Sequence, residues 1–302
     1  MHLHWATCAS ATKTITALVL VTGATGKIGS ALVKALLARG DTVRAVVRPG
    51  SAGKLPEGVE KFEADLSSGK LPAAAFEKAT HVVHLAGLVG SHPYRRLLLQ
   101  NAFATKNLLA ACPTSVRRVG MASSISVYGE YKGKLVDESF AARGESDYGK
   151  TKLLSETFAR SYCGQLPIVF LRFGMVYGPG FEEGYYSVLS YIKQGKMKLL
   201  GDGSNRLPLL HIDDCVMAIL LALEKSVPRC REYNIVGEEK MTQKEMLSLA
   251  ASELGVSPPT SSTPVILAAA AAKVKSLFGD KRFSSENVRQ LSLDRAYSCE
   301  RA

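Results

Sequence analysis

From Ala17 onward, short apolar runs alternate with longer stretches in which apolar residues recur every three or four positions. This is the pattern of strands joined by amphipathic helices in a parallel sheet. The runs predict strands over 17–22, 42–47, 59–64, 80–86, 116–123 and 168–173, with helices over 26–39, 93–111 and 148–163 between them. Gly40 stops the first helix, and Arg48-Pro49 ends the second strand. After Gly178-Pro179-Gly180 the character changes, with helices predicted over 183–195, 213–224 and 242–254 and a Pro/Ser/Thr-rich linker at 257–264. The expected architecture is α/β. A doubly wound parallel sheet occupies 16–178 and is completed by parts of 211–236, and a smaller, mainly helical substrate lobe at 179–302 lies against the carboxyl ends of the strands.

The chain of 302 residues is 46% hydrophobic and 22% charged, ordinary for a globular protein and long enough to bury a core without metals or disulfides. Its 38 Lys and Arg against 27 Asp and Glu leave a net charge of +11, which favours anionic partners such as phosphorylated cofactors, nucleic acid or acidic membranes. The cations are spread along the chain, as in Arg95-Arg96, Arg117-Arg118 and 193–198, without an aromatic recognition motif. They read as solvated faces, so neither a nucleic-acid nor a membrane partner is expected. The cysteines at 8, 112, 163, 215, 230 and 299 show none of the spacings of a zinc site. They read as six free thiols in a reducing, cytoplasmic setting, and no metal is expected. The first fifteen residues lack the apolar core of a secretory signal and are expected to form a short disordered extension. The apolar stretch 264–278 is interrupted by Lys273 and Lys275, is shorter than the roughly 20 residues that cross a bilayer, and is expected to pack on the lobe.

Between the first strand and the first helix lies Val21-Thr22-Gly23-Ala24-Thr25-Gly26-Lys27-Ile28-Gly29. Glycines so spaced allow a tight turn, close backbone approach to a pyrophosphate and close helix packing, and the helix start offers free N–H groups and a favourable dipole. Gly23, Thr25, Gly26, Lys27, Ile28 and Gly29 are therefore candidate cofactor contacts. A merely flexible turn is the alternative, against which the flanking strand and helix speak, and they favour a Rossmann-type sheet. Arg48 stands at the end of the second strand, where an acidic residue would hold the adenosine ribose of NAD and an arginine would accommodate a 2′-phosphate. NADP(H) is thus preferred over NAD(H), unless Arg48 is only a solvated strand-end charge. Asp65, followed by Leu66, is placed to take the adenine amino group or to cap a helix.

Tyr148 and Lys152 fall four apart on a predicted helix and so share a face. A nearby ammonium lowers a phenol's pKa from about 10 and makes it a usable acid or base. A surface pair is the ordinary reading of such a spacing taken alone. Upstream, Ser123-Ser124-Ile125-Ser126-Val127-Tyr128-Gly129 follows the fifth strand, where a hydroxyl can hold a substrate oxygen, or where serines simply end a strand.

These pieces, in this order, resemble the extended short-chain dehydrogenase/reductases, the NAD(P)-dependent epimerase/dehydratase group, over about residues 17 to 255. The resemblance rests on Thr22-Gly23-x-x-Gly26-x-x-Gly29, Asp65-Leu66, His84-Leu85-Ala86-Gly87, Asn101 with Thr105-x-Asn107-Leu108-Leu109, Ser124, Tyr148-x-x-x-Lys152, Leu171-Arg172 leading to Val176-Tyr177-Gly178-Pro179, and His211-Ile-Asp213-Asp214. It implies an enzyme moving a hydride between nicotinamide and a secondary alcohol or ketone carbon. In it Tyr148 is the acid/base, Lys152 binds the nicotinamide ribose and lowers the Tyr148 pKa, and Ser124 bonds the reacting oxygen. Leu85, Ala86, Gly87 and Val176 line the cofactor, and Asn101 is a further polar contact. Small-molecule substrates and a homodimer through the helices over 93–111 and 148–163 are also implied.

Within that group, Ile125 and Ser126 after Ser124 replace the acidic residues that dehydratases use. Met175 stands where nucleotide-sugar enzymes commonly have Asn, and Leu207 where they have Arg, with Arg206 one position further from His211. Ser126, Met175 and Arg206 are the candidate substrate contacts. Met175 and Leu207 suit a less polar substrate, although Met175 serves equally as core packing. A nucleotide-sugar epimerase with tightly held NAD is the alternative enzyme, and a dinucleotide-regulated or RNA-binding module the alternative of another class.

Overall fold

The computed structural model describes residues 17–131, 133–277 and 285–302. The extension expected over 1–15, with Cys8, and the end of the apolar stretch at Phe278 lie outside the described residues. Strands β1 (Leu18–Thr22), β2 (Thr42–Val47), β3 (Val59–Glu63), β4 (His81–His84), β5 (Arg118–Ser124), β6 (Ile168–Phe173) and β7 (Arg231–Ile235) form one parallel sheet in the order β7-β6-β5-β4-β1-β2-β3. The order reverses between β1 and β4, and the crevice beyond their carboxyl ends is where such sheets bind ligands.

Burial on both faces explains the continuous apolar runs. Helix α1 (Lys27–Ala38) buries Gly29, Leu32, Val33 and Leu36, one stripe at helical spacing. The chain leaves it through Gly40, at φ 83°. With α6 (Ile212–Glu224), this helix covers one face of the sheet over Val19, Val21, Val169 and Leu171. The opposite face packs Leu20, Val82, Met121 and Phe170 against Leu108, Leu109 and Ala159. Those residues come from α3 (Ala104–Ala111) and α4 (Asp147–Arg160). The single helix expected over 93–111 is α2 (Tyr94–Leu97), a wider π turn over Leu98–Phe103, and α3. Thr105 Oγ1, from the start of α3, donates to the Asn101 carbonyl inside that turn at 2.7 Å, and such π turns are frequent at functional sites.

The lobe comprises α5 (Glu182–Lys193), α7 (Gln243–Glu253), α8 (Val265–Leu277) and α9 (Ser285–Ser292). Ile192, Leu199, Leu247 and Ala251 form its core. Of the apolar stretch expected to pack, Ala272 is buried while Ile266 and Leu267 are exposed. The last residues leave the lobe: Ala296–Tyr297 pairs in parallel with Leu135–Val136, and Tyr297 joins Ile125, Val127, Tyr128 and Val136 in a separate core. Among the described residues no helix is long and apolar enough to cross a membrane, and no group of His, Cys, Asp and Glu could hold a metal.

The expectation of six free thiols is corrected by a disulfide between Cys163 and Cys230, whose Cα atoms are 5.7 Å apart. Cys163 lies just past α4 and Cys230 just before β7, and the Cys230 amide donates to Ile168 at the start of β6. The fold therefore brings together two cysteines separated by 67 residues in sequence. Cys112, Cys215 and Cys299 are free. Closing so long a loop restricts the unfolded chain, so reducing this bond or making Cys163→Ser is expected to cost about 2–4 kcal/mol. Urea unfolding with and without reductant measures it, and superimposable curves would contradict it.

Candidate active site

At the β1–α1 junction the chain is too crowded for any residue but glycine at two positions. A Cβ on Gly29 would lie 2.1 Å from the Gly23 carbonyl oxygen, and one on Gly23, at φ 73°, would lie 2.6 Å from the Ala86 amide nitrogen. The glycine turn is thereby pressed against the Leu85–Ala86 segment beyond β4. Helix α1 starts at Gly26 with neither a side-chain cap nor an acidic residue in its first turn, so its first amides face the crevice as an anion seat. These features fit a dinucleotide pyrophosphate. Thr25 and Ile28 are half-buried, and Lys27 reaches across to the lobe, its ammonium 5.2 Å from the Phe181 ring centre. His84 ties the strand ends together, joined to Thr22 Oγ1 at 2.7 Å and Thr105 Oγ1 at 2.9 Å. Burial first, and then the Lys152 charge, lower its pKa to about 3, so it stays neutral.

Arg48 is exposed at the end of β2. Asp65 Oδ1 accepts from the Ser67 amide at 2.9 Å and the Ser67 hydroxyl at 2.7 Å, capping a short turn that begins at the buried Leu66. Those bonds hold the Asp65 carboxyl below its usual range, with a smaller contribution from the Arg48 charge nearby. Asn101 is buried, and its amide group is committed to protein: Oδ1 accepts from the Leu88 amide at 2.7 Å, and Nδ2 donates to the Leu88 carbonyl and Thr151 Oγ1, both at 3.1 Å. It braces the 85–88 segment, with the exposed Gly87, against α4.

Helix α4 begins at Ser146, whose hydroxyl accepts from the Gly149 amide at 3.0 Å, and presents Tyr148, Lys152 and Glu156 as one stripe to the end of β5. The Tyr148 phenol lies beside the Ser124 hydroxyl, Lys152 Nζ donates to the Ala122 carbonyl at 2.6 Å, and Glu156 Oε1 accepts from Ser123 Oγ at 2.5 Å. Three successive turns of the helix thus grip three successive residues of the strand. Burial pushes the Tyr148 phenol up to about 12 despite the opposing effect of the Ser124 hydroxyl. It likewise brings Lys152 down to about 8, with Glu156 opposing. The lowering of Tyr148 by Lys152 that the resemblance implies is therefore not found in the chain alone: desolvation outweighs it, and the Lys152 ammonium is turned to a backbone carbonyl. Ser126 extends the site, its Oγ 3.2 Å from that of Ser124.

Glu156 was not among the residues singled out from the sequence, although it continues the Tyr148–Lys152 spacing by one more turn. Arg172 of β6 clasps it in a bidentate pair, Nε–Oε1 2.9 Å and Nη2–Oε2 2.7 Å. Burial raises the Glu156 pKa, but this partner outweighs it and holds the carboxyl below its usual range. Arg172 Nη1 also donates to Tyr128 Oη at 2.7 Å, and Tyr128 donates to Asn234 Oδ1 at 2.8 Å. Asn234 in turn donates to the Ser298 carbonyl at 3.2 Å. A buried polar chain therefore runs from the helix carrying Tyr148 to the C-terminal segment.

On the lobe side, Met175 and Val176 are half-buried in a short strand paired with Leu209–Leu210. Leu207, expected with Met175 to suit a less polar substrate, is 3% exposed and packed inside, its amide bonded to Met241. The Arg206 guanidinium is taken up by Asp294, with Nε–Oδ1 2.8 Å and Nη2–Oδ2 2.6 Å, and the Arg206 amide donates to the same carboxylate. That partner lies 88 residues away in sequence and carried no local signal.

Residues 19–236 match the profile of the NAD dependent epimerase/dehydratase family. An uncharacterized UDP-glucose epimerase of Bacillus subtilis (strain 168) is 32% identical over 258 residues, 76% of this chain and 80% of that protein. The 2-alkyl-3-oxoalkanoate reductase of Stenotrophomonas maltophilia (strain K279a) is 28% identical over 78% of this chain and 76% of its own. Among solved structures, MoeE5 in complex with UDP-glucose and NAD is 33% identical, with a TM-score of 0.70 over 82% of this chain and 85% of that one. A second structure of MoeE5 holds UDP-glucuronic acid and NAD.

Proposed function

This chain belongs to the NAD dependent epimerase/dehydratase family, and on that premise we propose that it is an oxidoreductase acting at a secondary alcohol or ketone carbon, with Tyr148 as acid/base. The observation that carries the reading is the convergence of Ser124, Tyr148 and Lys152 at the end of β5, beside the crevice that the glycine turn opens. A nicotinamide dinucleotide seated there supplies or accepts the hydride. Gly23, Gly26 and Gly29 leave room for its pyrophosphate, Thr25, Lys27, Ile28, Leu85, Ala86, Gly87 and Val176 line it, and Lys152 is within reach of its nicotinamide half. Ser124 orients the reacting oxygen. A Tyr148 phenol that keeps its proton at neutral pH is ready to donate it to a carbonyl oxygen when the reaction runs as a reduction. Met175 lies toward the substrate.

Arg48 at the β2 end, beside Asp65, supports NADP(H) over NAD(H). Titrating nucleotide-free protein with each, while identifying any dinucleotide released on denaturation, tests this. Expected are an empty, freely exchanging site and NADPH binding at least about tenfold tighter than NADH, the scale of one arginine contact to a phosphate. Retained stoichiometric NAD would instead favour the second reading, a nucleotide-sugar epimerase, which the resemblance to MoeE5 supports. The Arg206–Asp294 pair speaks against that reading, because it withdraws a cation from a sugar-nucleotide diphosphate. A homodimer through α2–α3 and α4, and a cytoplasmic location, belong to the same proposal. The location no longer draws support from the cysteines.

A further inference from the structure

His84, at the end of β4, is a buried titratable group that the proposed chemistry leaves unused. Its two ring nitrogens each face a threonine hydroxyl, Nδ1 that of Thr22 at 2.7 Å and Nε2 that of Thr105 at 2.9 Å. The backbone fixes which nitrogen holds the proton. Thr105 Oγ1 gives its single hydrogen to the Asn101 carbonyl at 2.7 Å, so toward His84 it can only accept, and Nε2 must carry the N–H. In the neutral ring Nδ1 is then a bare acceptor, and Thr22 Oγ1 donates to it. The Thr22 oxygen in turn accepts from the Ala86 amide at 3.4 Å. On the other side, Asn101 holds the Leu88 amide and carbonyl and donates from Nδ2 to Thr151 Oγ1 at 3.1 Å. Thr151 passes the contact on, donating to the Tyr148 carbonyl at 2.9 Å. Thr22, His84, Asn101, Thr105 and Thr151 are each at most 3% exposed.

We propose that His84 is a positioning residue: with its ring proton on Nε2, it couples the 85–88 wall of the dinucleotide seat to the turn of α4 that carries Tyr148. Gly23 is pressed against Ala86, so a dinucleotide lying on the glycine turn bears on the segment whose Ala86 and Leu88 amides this network holds. At its far end the network holds Tyr148 by the backbone. Every hydroxyl in it both accepts and donates, and a fully satisfied buried network is stiff. It is not a proton path, because it ends on the Asn101 and Tyr148 backbone carbonyls, which have no proton to pass on. What it transmits is position, namely the separation between the bound nicotinamide and the phenol. The assignment rests on the proposed dinucleotide site and on Tyr148 as the reacting phenol, whereas the ring proton and the coupling are measured without turnover.

The experiment combines NMR of the histidine ring nitrogens in the isotope-labelled full chain with calorimetric titration of nucleotide-free protein by whichever of NADPH and NADH binds tighter. The His84 signals, identified by their loss in His84→Gln, are expected to show Nε2 protonated and Nδ1 bare. They are expected to stay unchanged between about pH 5 and pH 8, where an ordinary histidine titrates, because burial and the Lys152 charge keep the ring neutral. His84→Leu, similar in bulk but without ring nitrogens, is expected to weaken dinucleotide binding about tenfold, the scale of one lost hydrogen bond. His84→Gln offers one donor and one acceptor and is expected to bind within about twofold of wild type. Thr151→Val, on α4, is expected to weaken binding about threefold. The double variant His84→Leu/Thr151→Val should lose clearly less than the product of the two, since the network is already broken. A ring proton on Nδ1, titration within that range, or unaltered affinity in His84→Leu or Thr151→Val would each overturn the proposal, as would a His84→Gln variant no better than His84→Leu or losses that simply multiply. If His84→Leu does not fold, the wild-type ring spectrum and Thr151→Val decide the matter. A wild-type chain that takes up neither dinucleotide sinks the cofactor reading and this proposal together, whereas a wild-type chain that binds one of them with any of the contrary results sinks the role of His84 alone.

Discussion

Tyr148→Phe is expected to reduce turnover about a thousandfold while leaving dinucleotide affinity nearly unchanged. The substitution removes one oxygen, and that oxygen is the one beside Ser124 at the end of β5. General acid–base catalysis by a positioned side chain contributes roughly 10²–10⁴-fold, so the loss is confined to the proton-transfer step. The cofactor seat at the glycine turn does not involve the phenol. The wild-type pH dependence follows from the raised pKa of about 12: the protonated form is present throughout the neutral range, so carbonyl reduction proceeds there, whereas alcohol oxidation, which needs the phenolate, speeds up as the pH rises. Stopped-flow hydride transfer with saturating dinucleotide reads both effects. Near-normal rates in the phenylalanine variant would remove Tyr148 from the chemistry.

The second large effect concerns Glu156, the last of the three residues in the α4 stripe. Glu156→Gln leaves the Arg172 guanidinium, 4% exposed as a residue, without its bidentate counter-charge. Breaking one side of a buried pair costs about 3–5 kcal/mol, a large part of the roughly 5–15 kcal/mol that holds a domain folded. Chemical denaturation is expected to show a loss of that size. Because the carboxylate also sustains the Lys152 ammonium, Lys152 is expected to lose its proton at lower pH in the variant, and the alkaline limb of the activity profile moves down. A double variant, Glu156→Leu with Arg172→Met, removes both charges and is expected to recover much of the stability but not the original pH profile. Full recovery of that profile would show that Glu156 only holds the fold.

The inner strands of the central sheet were legible because they are buried on both faces and read as largely apolar runs, whereas the edge strand β7, REYNI, begins exposed and carries no such run. The bounds predicted for β2 and β6 are those observed, and the helix stripes of α1 and α6 were equally plain. The Tyr148–Lys152 spacing was legible for the same reason, being local to one helix. The rest depends on pairings between distant residues. Cys163 meets Cys230, Arg206 meets Asp294, and residues 296–297 cross back to 135–136, each joined by the closing of a sheet or lobe that no periodicity encodes. Leu207 was misjudged because a leucine next to a site residue looks the same in sequence whether it lines a cavity or fills a core.

The return of residues 294–298 to the β5 end bears on the order in which the protein is made. A chain emerging from the ribosome folds its N-terminal parts first, and the sheet through β6, the glycine turn and the α4 stripe are all in hand once about 60% of the residues are out, as the positions of these elements along 302 residues imply. Tyr128 and Asn234 must then wait for Tyr297 and Ser298. A nascent chain can therefore shape the crevice at the glycine turn well before the buried polar chain behind Tyr148 is closed, so the strand ends take form before the support beneath the α4 stripe is complete.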